Sequence, residues 1–248
     1  MRRVGLLAVL TLLSAVSLFA QESPRERYLL PVFIEPIPGA FGSEFRTEIH
    51  GLNTSPTEEI GIRGLEIACR PSPPICDWIN DVMVRLLPLP QGSDLFDYYA
   101  YQTGTPGRFI EVEQERAKDL TLSLRVYDTS RSAENFGTEI PIVRRSEFRQ
   151  DAFALLGVPL DPRFRNTLRL YAEEATTVQV QIGTATHHLA LRAGQHVFDP
   201  AYAQFTAFPA GTGLTNVIVT PQANGPAVWG FISVTNNVTQ HITTISPQ

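Results

Sequence analysis

Carboxylates, histidines and cysteines are the side chains whose spacing could do chemistry in this chain. The carboxylates cluster as Glu58 with Glu59, as Glu111, Glu113 and Glu115, and as Glu173 with Glu174. Glycoside hydrolysis needs two carboxyls opposed across a cleft. Glu111 and Glu113 instead fall on one face of a strand and Glu173 at a hairpin tip, so solvated faces are the plainer reading. A hydrolase with dispersed carboxylates is the least favoured alternative. His187 and His188 form the one adjacent histidine pair. On a strand, neighbouring side chains point to opposite faces, so the two do not converge on one metal. His196 lies near enough in sequence to join one of them across a hairpin, yet two ordinary strand histidines need no ion. No Asp ladder precedes a bidentate Glu, so calcium is not expected either.

The motif search is negative. A G-x-S-x-G elbow, a phosphate-binding G-x-x-x-x-G-K-[ST] loop, a G-x-G-x-x-G fingerprint and an H-E-x-x-H pair are all absent. Triads assembled in space escape such a search. No catalytic residue, metal ligand or cofactor is therefore assigned. Cys69 and Cys76, in ACRPSPPIC, lie close enough to be joined in an oxidising compartment. Closing so short a loop stabilises by about 2.5 kcal/mol in the chain-entropy model, less where prolines already stiffen it. The segment from Asp94 to Phe109 gathers Phe96, Tyr98, Tyr99 and Tyr101 beside Asp94 and Asp97. Aromatic faces with nearby carboxylates can hold a sugar ring, so Tyr99 and Tyr101 are candidate binding residues. Tyrosines packed on a sandwich edge with the hydroxyl outward look the same.

The elements that must position these groups are strands. LTLSLRVY alternates Leu120, Leu122, Leu124 and Val126 with Thr121, Ser123, Arg125 and Tyr127, the pattern of a strand with one buried face. NTLRLY at 166–171 and TVQVQIG at 177–183 alternate likewise around a polar turn and read together as a hairpin. Residues 75–87 fit a short helix or a strand. Ahead of them, Arg2 and Arg3 precede an apolar run ending at Ala20, the layout of a signal peptide over residues 1–20. The mature chain is then expected to be secreted or periplasmic, with no transmembrane segment after cleavage. The formal net charge is -5 for the whole sequence and, without Arg2 and Arg3, -5 - 2 = -7 for the mature chain, which argues against a nucleic-acid partner.

The order of signals repeats. LLPV at 29–32 is followed by FRTEI at 45–49, and LLGV at 155–158 by FRNTL at 164–168. Each half closes with a strand and a polar turn, LTLSLRVYDTSR at 120–131 and VWGFISVTNNVTQ at 228–240. Copies of about a hundred residues match one immunoglobulin-like sandwich each. This layout resembles the tandem immunoglobulin-like or fibronectin-like modules of secreted bacterial proteins. The resemblance implies an all-β fold of two antiparallel β-sandwich domains, 21–146 and 147–248, joined within RRSEFRQD at 144–151. It transfers no functional residue.

No Asp, Glu, Lys or Arg follows Asp199. Exposed strands ordinarily carry charges against edge association, so part of this stretch should be covered by the first domain, another subunit or a surface. If Val228, Gly230, Ile232 and Val234 face inward like Leu120 to Val126, then Trp229 and Phe231 stand outward and mark a contact. The opposite polarity would put Trp229 in the core, as sandwich tryptophans often are. The reading is a non-catalytic secreted protein with a structural, adhesion or protein-interaction role, and a carbohydrate-binding module as alternative. A protein or cell-surface glycan is the expected partner, with self-association through the C-terminal domain. On this reading Trp229→Ser or Phe231→Ser leaves folding largely intact and weakens association.

Overall fold

A computed structural model describes residues 24–32, 37–64, 68–71, 74–77, 83–89, 91, 106–131, 136–195 and 197–248, with the backbone alone at 37, 68–71, 74–77 and 83. In the first half the strands are β1 (Arg25–Leu30), β2 (Ile37–Pro38), β3 (Glu44–Asn53), β4 (Ile60–Arg63), β5 (Ala68–Pro71), β6 (Pro74–Asp77), β7 (Met83–Leu86), β8 (Arg108–Glu113), β9 (Leu120–Asp128), β10 (Thr138–Ile140) and β11 (Val143–Arg144). In the second half they are β12 (Phe153–Pro159), β13 (Phe164–Ala172), β14 (Thr176–Ile182), β15 (Ala185–Leu191), β16 (Ala201–Phe205), β17 (Leu214–Pro221), β18 (Val228–Asn236) and β19 (Ile242–Ile245). The fold is all-β, and among the described residues there is no α-helix, hence none long and apolar enough to cross a membrane. The segment 75–87 contributes strands β6 and β7. Residues 1–20, expected from the sequence to be a signal peptide, lie outside the described residues.

Four antiparallel sheets and one two-stranded hairpin result. The first half builds β11-β1-β8-β4-β7 and β10-β9-β3-β2, the second β12-β17-β14-β15 and β16-β13-β18-β19. Replacing each strand by its counterpart turns β1-β8-β4-β7 into β12-β17-β14-β15, and β10-β9-β3 into β19-β18-β13; the edge beside β3 and β13 is filled from different places in the chain, by β2 ahead of β3 and by β16 after β15. The register agrees as well. Phe45 faces Asp128 and Ile49 faces Leu124 across β3 and β9, while Phe164 faces Asn236 and Leu168 faces Ile232 across β13 and β18. Both last-named strands end in the same device. Asp128 accepts the Ser130 backbone N–H at 3.1 Å, and Asn236 accepts those of Val238 at 2.8 Å and Thr239 at 3.0 Å, so a side-chain oxygen starts each turn.

The hairpin expected from 166–171 and 177–183 does not form. β13 pairs with β16 and β18, and β14 with β15 and β17, so the two strands sit in different sheets. Alternation reports that a strand has one buried face and leaves its partner open. Leu168 and Leu170 look at the same core as Val178 and Val180 from the opposite side. The true hairpin joins β14 to β15, where Ile182 faces Ala185 and Gly183 turns at φ +58°.

Two clusters of buried side chains fill the fold. The second holds Leu168, Leu170, Val180, Val219, Ile232 and their neighbours, all from the second half. The first is built on Leu30, Ile62, Ile110, Leu124 and other first-half residues, yet it also contains Tyr171, Phe198, Trp229 and Phe231. Strand β18 therefore serves both cores: Val228, Ile232 and Val234 point into one, Trp229 and Phe231 into the other. Gly230 lies between them because β13 runs close beneath. A Cβ there would stand 2.5 Å from Leu170 Cδ2 and 2.7 Å from the Arg169 carbonyl oxygen.

Polar bonds fix how the halves meet. The buried Tyr171 hydroxyl donates to the Pro31 carbonyl, with the Pro106 carbonyl oxygen 3.1 Å away. Burial pushes the Tyr171 pKa well above its ordinary value, which keeps the hydroxyl a neutral donor. The Phe109 N–H donates to the Phe198 carbonyl at 2.6 Å, and the Thr138 hydroxyl to the Ile242 carbonyl at 2.6 Å. Glu173 accepts Arg145 at 2.9 Å and Arg27 at 3.4 Å. Tyr171→Ala is expected to cost about 3–5 kcal/mol in chemical denaturation. Tyr171→Phe, which leaves the Pro31 carbonyl without its donor, is expected to cost about 1–3 kcal/mol.

Asp128 adds a pH dependence. Its burial alone would raise the carboxyl pKa, but hydrogen bonds from the Ser130 hydroxyl, the Glu44 N–H and Arg131 outweigh that and hold it below the ordinary value. A pKa depressed by folding stabilises above the unfolded value, and the contribution is lost as pH falls through the folded one. The denaturation midpoint should drop between about pH 5 and about pH 3, and drop less in Asp128→Asn. Equal drops would remove this carboxylate from the acid response.

Candidate functional site

Trp229 is 4% exposed and Phe231 fully buried, so neither offers a surface to another molecule. Both do face away from the second half's own core. What covers them is the first half of the same chain. Trp229 lies 6.1 Å from the Tyr171 ring and 5.5 Å from Phe231, centroid to centroid, and Tyr171 lies 5.3 Å from Tyr202. The reading of these two rings as a partner contact is thereby corrected: the contact is intramolecular.

The other residues singled out by sequence fall apart as a site. Tyr99, Tyr101 and His196 lie outside the described residues. Cys69 and Cys76 sit opposite each other in the backbone register of β5 and β6. His187 packs its ring 4.7 Å from Phe205, while His188, next along β15, is exposed on the other face. Among the described residues no group of three His, Cys, Asp or Glu could hold a metal ion. Four of the clustered carboxylates are engaged by arginines: Glu111 accepts Arg27 Nε at 2.9 Å, Glu58 meets Arg116 at 3.1 Å, Glu59 meets Arg85 at 3.2 Å and Glu173 meets Arg145 at 2.9 Å. Arg27 reaches Glu173 as well, so one guanidinium stands between the two best-buried glutamates of the cluster.

The feature that separates the halves is the outer face of β12-β17-β14-β15. Alternation in TVQVQI buries Val178, Val180 and Ile182 and turns Thr177, Gln179 and Gln181 to solvent. On β17, Val217 and Val219 go inward while Asn216, Ile218 and Thr220 stay exposed. Cross-strand pairing puts Ile218 between Ala154 and Gln181, and Gln179 between Thr220 and His188. No charged side chain projects from this face along the four strands. The matching first-half strands differ sharply. There Arg25 opposes Glu113, while Arg27 and Arg63 flank Glu111. The second half's face thus exposes amides, hydroxyls and aliphatic groups, with Ile218 39% exposed, where its counterpart carries charges of both signs. Charges on exposed strands guard against association with other sheets, and this face carries none.

The sequence holds part of that signal in its uncharged final fifth. Missing from it is the split, in which β18 goes to the interior and β17 shows its polar side to solvent. No protein-family model, curated protein or solved structure matches the chain. Gln179→Lys and Ile218→Lys are expected to change stability by no more than about 0.5 kcal/mol. Phe231→Ser should cost at least about 3 kcal/mol, contrary to the sequence expectation for that ring. Denaturant titration of the three variants decides the point.

Proposed function

We propose that the chain is a secreted, non-catalytic protein of two tandem immunoglobulin-like β-sandwiches, acting in adhesion, envelope structure or protein contact. The uncharged outer face of β12-β17-β14-β15 is its contact surface. The observation that carries this is the contrast between two corresponding sheets: the face of one carries Arg25, Arg27, Arg63, Glu111 and Glu113 and meets the second half through Arg27 and Glu173, while the corresponding face of the other carries no Asp, Glu, Lys or Arg and stays exposed. Neutral, flat and partly aliphatic surfaces lose little on desolvation and meet partners without electrostatic selection.

Common strand order and register support a duplicated unit with its join in 144–151. β11 ends at Arg144 in the first half, and Arg149 already exchanges two backbone hydrogen bonds with Val228 of β18. Likeness to the immunoglobulin plan is of architecture. That plan keeps strands C, F and G in one sheet, whereas β14 and β17 share a sheet here and β18 lies in the other. The opposed positions of Cys69 and Cys76 support a disulfide, since directly paired strand residues lie within disulfide reach.

Mass spectrometry of the exported protein should find Gln21 as first residue and both cysteines resistant to alkylation until reduced. A retained leader or two freely alkylated thiols contradicts the compartment. For the function, labelled wild type should bind saturably to envelopes of the producing organism, and Ile218→Lys with Gln179→Lys should lose at least about ten-fold in affinity at unchanged stability. A glycan array tests the carbohydrate alternative. Retention on a glycan that Tyr99→Ala and Tyr101→Ala abolish would replace the face as the binding site. Absence of binding to envelopes, or equal binding by the double variant, would overturn the proposal.

A further inference from the structure

A cleft of about 140 Å³ lies where β13 and β18 meet the first half. Its walls differ in chemistry. From the second half come Arg165, Thr167 and Arg169 on β13, with Ser233 and Thr235 beside them on β18. The register sets Arg165 opposite Thr235 and Thr167 opposite Ser233, so hydroxyls and guanidiniums form one continuous donor surface. From the first half come Val32, Phe45, Val126 and Ile140, whose side chains carry no polar atom.

The partners of these two arginines are neutral, as is that of Arg149, whereas six other arginines are paired with carboxylates. Arg27, Arg85, Arg116, Arg131, Arg145 and Arg163 each meet a carboxylate. Arg165 instead donates to Asn237 Oδ1 at 3.1 Å and Gln240 Oε1 at 2.6 Å, both neutral. Arg169 donates to Ser233 Oγ at 2.6 Å and lies 5.8 Å from the Phe231 ring centroid. Among the described residues no carboxylate faces either one. Two half-buried cations thus share a cleft without a counter-ion, in a chain whose formal net charge is -5. Burial pulls the Arg165 pKa below its ordinary value, the response of a cation poorly compensated by its surroundings. An anion placed there would gain charge-assisted hydrogen bonds, the strong class.

The opposite wall narrows the ligand. A phosphate or sulfate carries oxygens on every side, and those turned to Val126 and Ile140 would lose water without gaining a donor. A carboxylate attached to an apolar body has acceptors at one end only. We propose that this cleft binds a small organic carboxylate, its oxygens on the Arg165, Thr167, Arg169 and Ser233 side and its apolar body against Val32, Phe45, Val126 and Ile140. It is independent of the exposed sheet face and lies on the other side of the second half's core.

Calorimetric titration and methyl-resolved NMR with hexanoate and benzoate, at constant ionic strength in chloride, test this. Saturable binding is expected, with shifts centred on Val32, Val126, Ile140 and Ile242. Acetate, which lacks the body, and hexanol, which lacks the charge, should bind at least about ten-fold more weakly. Arg169→Gln should lose at least about ten-fold for hexanoate. Should that variant unfold through its contact with Phe231, Arg165→Gln carries the same expectation from the half-exposed end of the cleft. No saturable binding of either acid overturns the proposal, as do shifts located elsewhere. Phosphate or sulfate binding as tightly as hexanoate overturns it too, by making the cleft a site for oxyanions in general.

Discussion

From Val228 to Thr235 every residue of β18 is buried, so this strand has no solvent face. It is also central in its sheet, bonded to β13 on one side and β19 on the other. Its aliphatic residues complete the second half's core and its aromatic ones complete the first half's. Rings of this size bury about 150–250 Å² each, worth about 4–6 kcal/mol apiece as an upper limit. The hydrogen bonds from Tyr171, Phe109 and Thr138 add about 1 kcal/mol each, and the partly exposed pairs of Glu173 about 1 kcal/mol or less. Aromatic burial therefore dominates, while the polar bonds fix the angle and register at which the halves sit. Relative motion is the default for joined units unless their interface is apolar, and this one is.

Committing one sheet of the second half to the interior leaves the opposite sheet to meet the surroundings. Charge is missing from β18 and from the outer face of β12-β17-β14-β15, for different reasons. On β18 a charge would be buried without a partner, which is prohibitive. On β14 and β17 the exposed positions tolerate charge, yet they hold Gln179, Gln181, Asn216 and Thr220. The β12 edge of this sheet is partly closed: the Gln248 N–H donates to the Ala154 carbonyl at 3.0 Å, and Arg149 holds the Gln248 carbonyl at 2.9 Å. Contact through the face rather than through that edge fits this arrangement.

Much of the fold can be read from the residues. Period-two alternation identifies β9, β13, β14 and β18, and the repeated FRTEI and FRNTL segments do fall on the corresponding strands β3 and β13. Outward placement of Trp229 and Phe231 follows from aligning β18 with β9. Pairing does not follow, because alternation names a buried face and no neighbour. Hence β13 and β14 look like a hairpin in sequence and belong to opposite sheets in space. Tyr171 illustrates the same limit. It is one more strand residue until β13 is set against β18, when it falls opposite Trp229 and beneath Gly107, where a Cβ would come within 2.9 Å of its ring. Arg165 and Arg169 likewise read as ordinary outward charges of an amphipathic strand. Only the arrival of the first half's apolar wall makes them line a cleft.

The account rests on β18 locking the halves into one body. Native-state hydrogen exchange of its amides measures this directly, because a strand shared by two cores can open only when both do. Exchange from Trp229, Phe231 and Ile232 should then require the full free energy of unfolding and change with denaturant as global unfolding does. Exchange of those amides through a lower-energy opening, while β3, β9 and the β14 and β17 amides remain protected, would contradict the shared core.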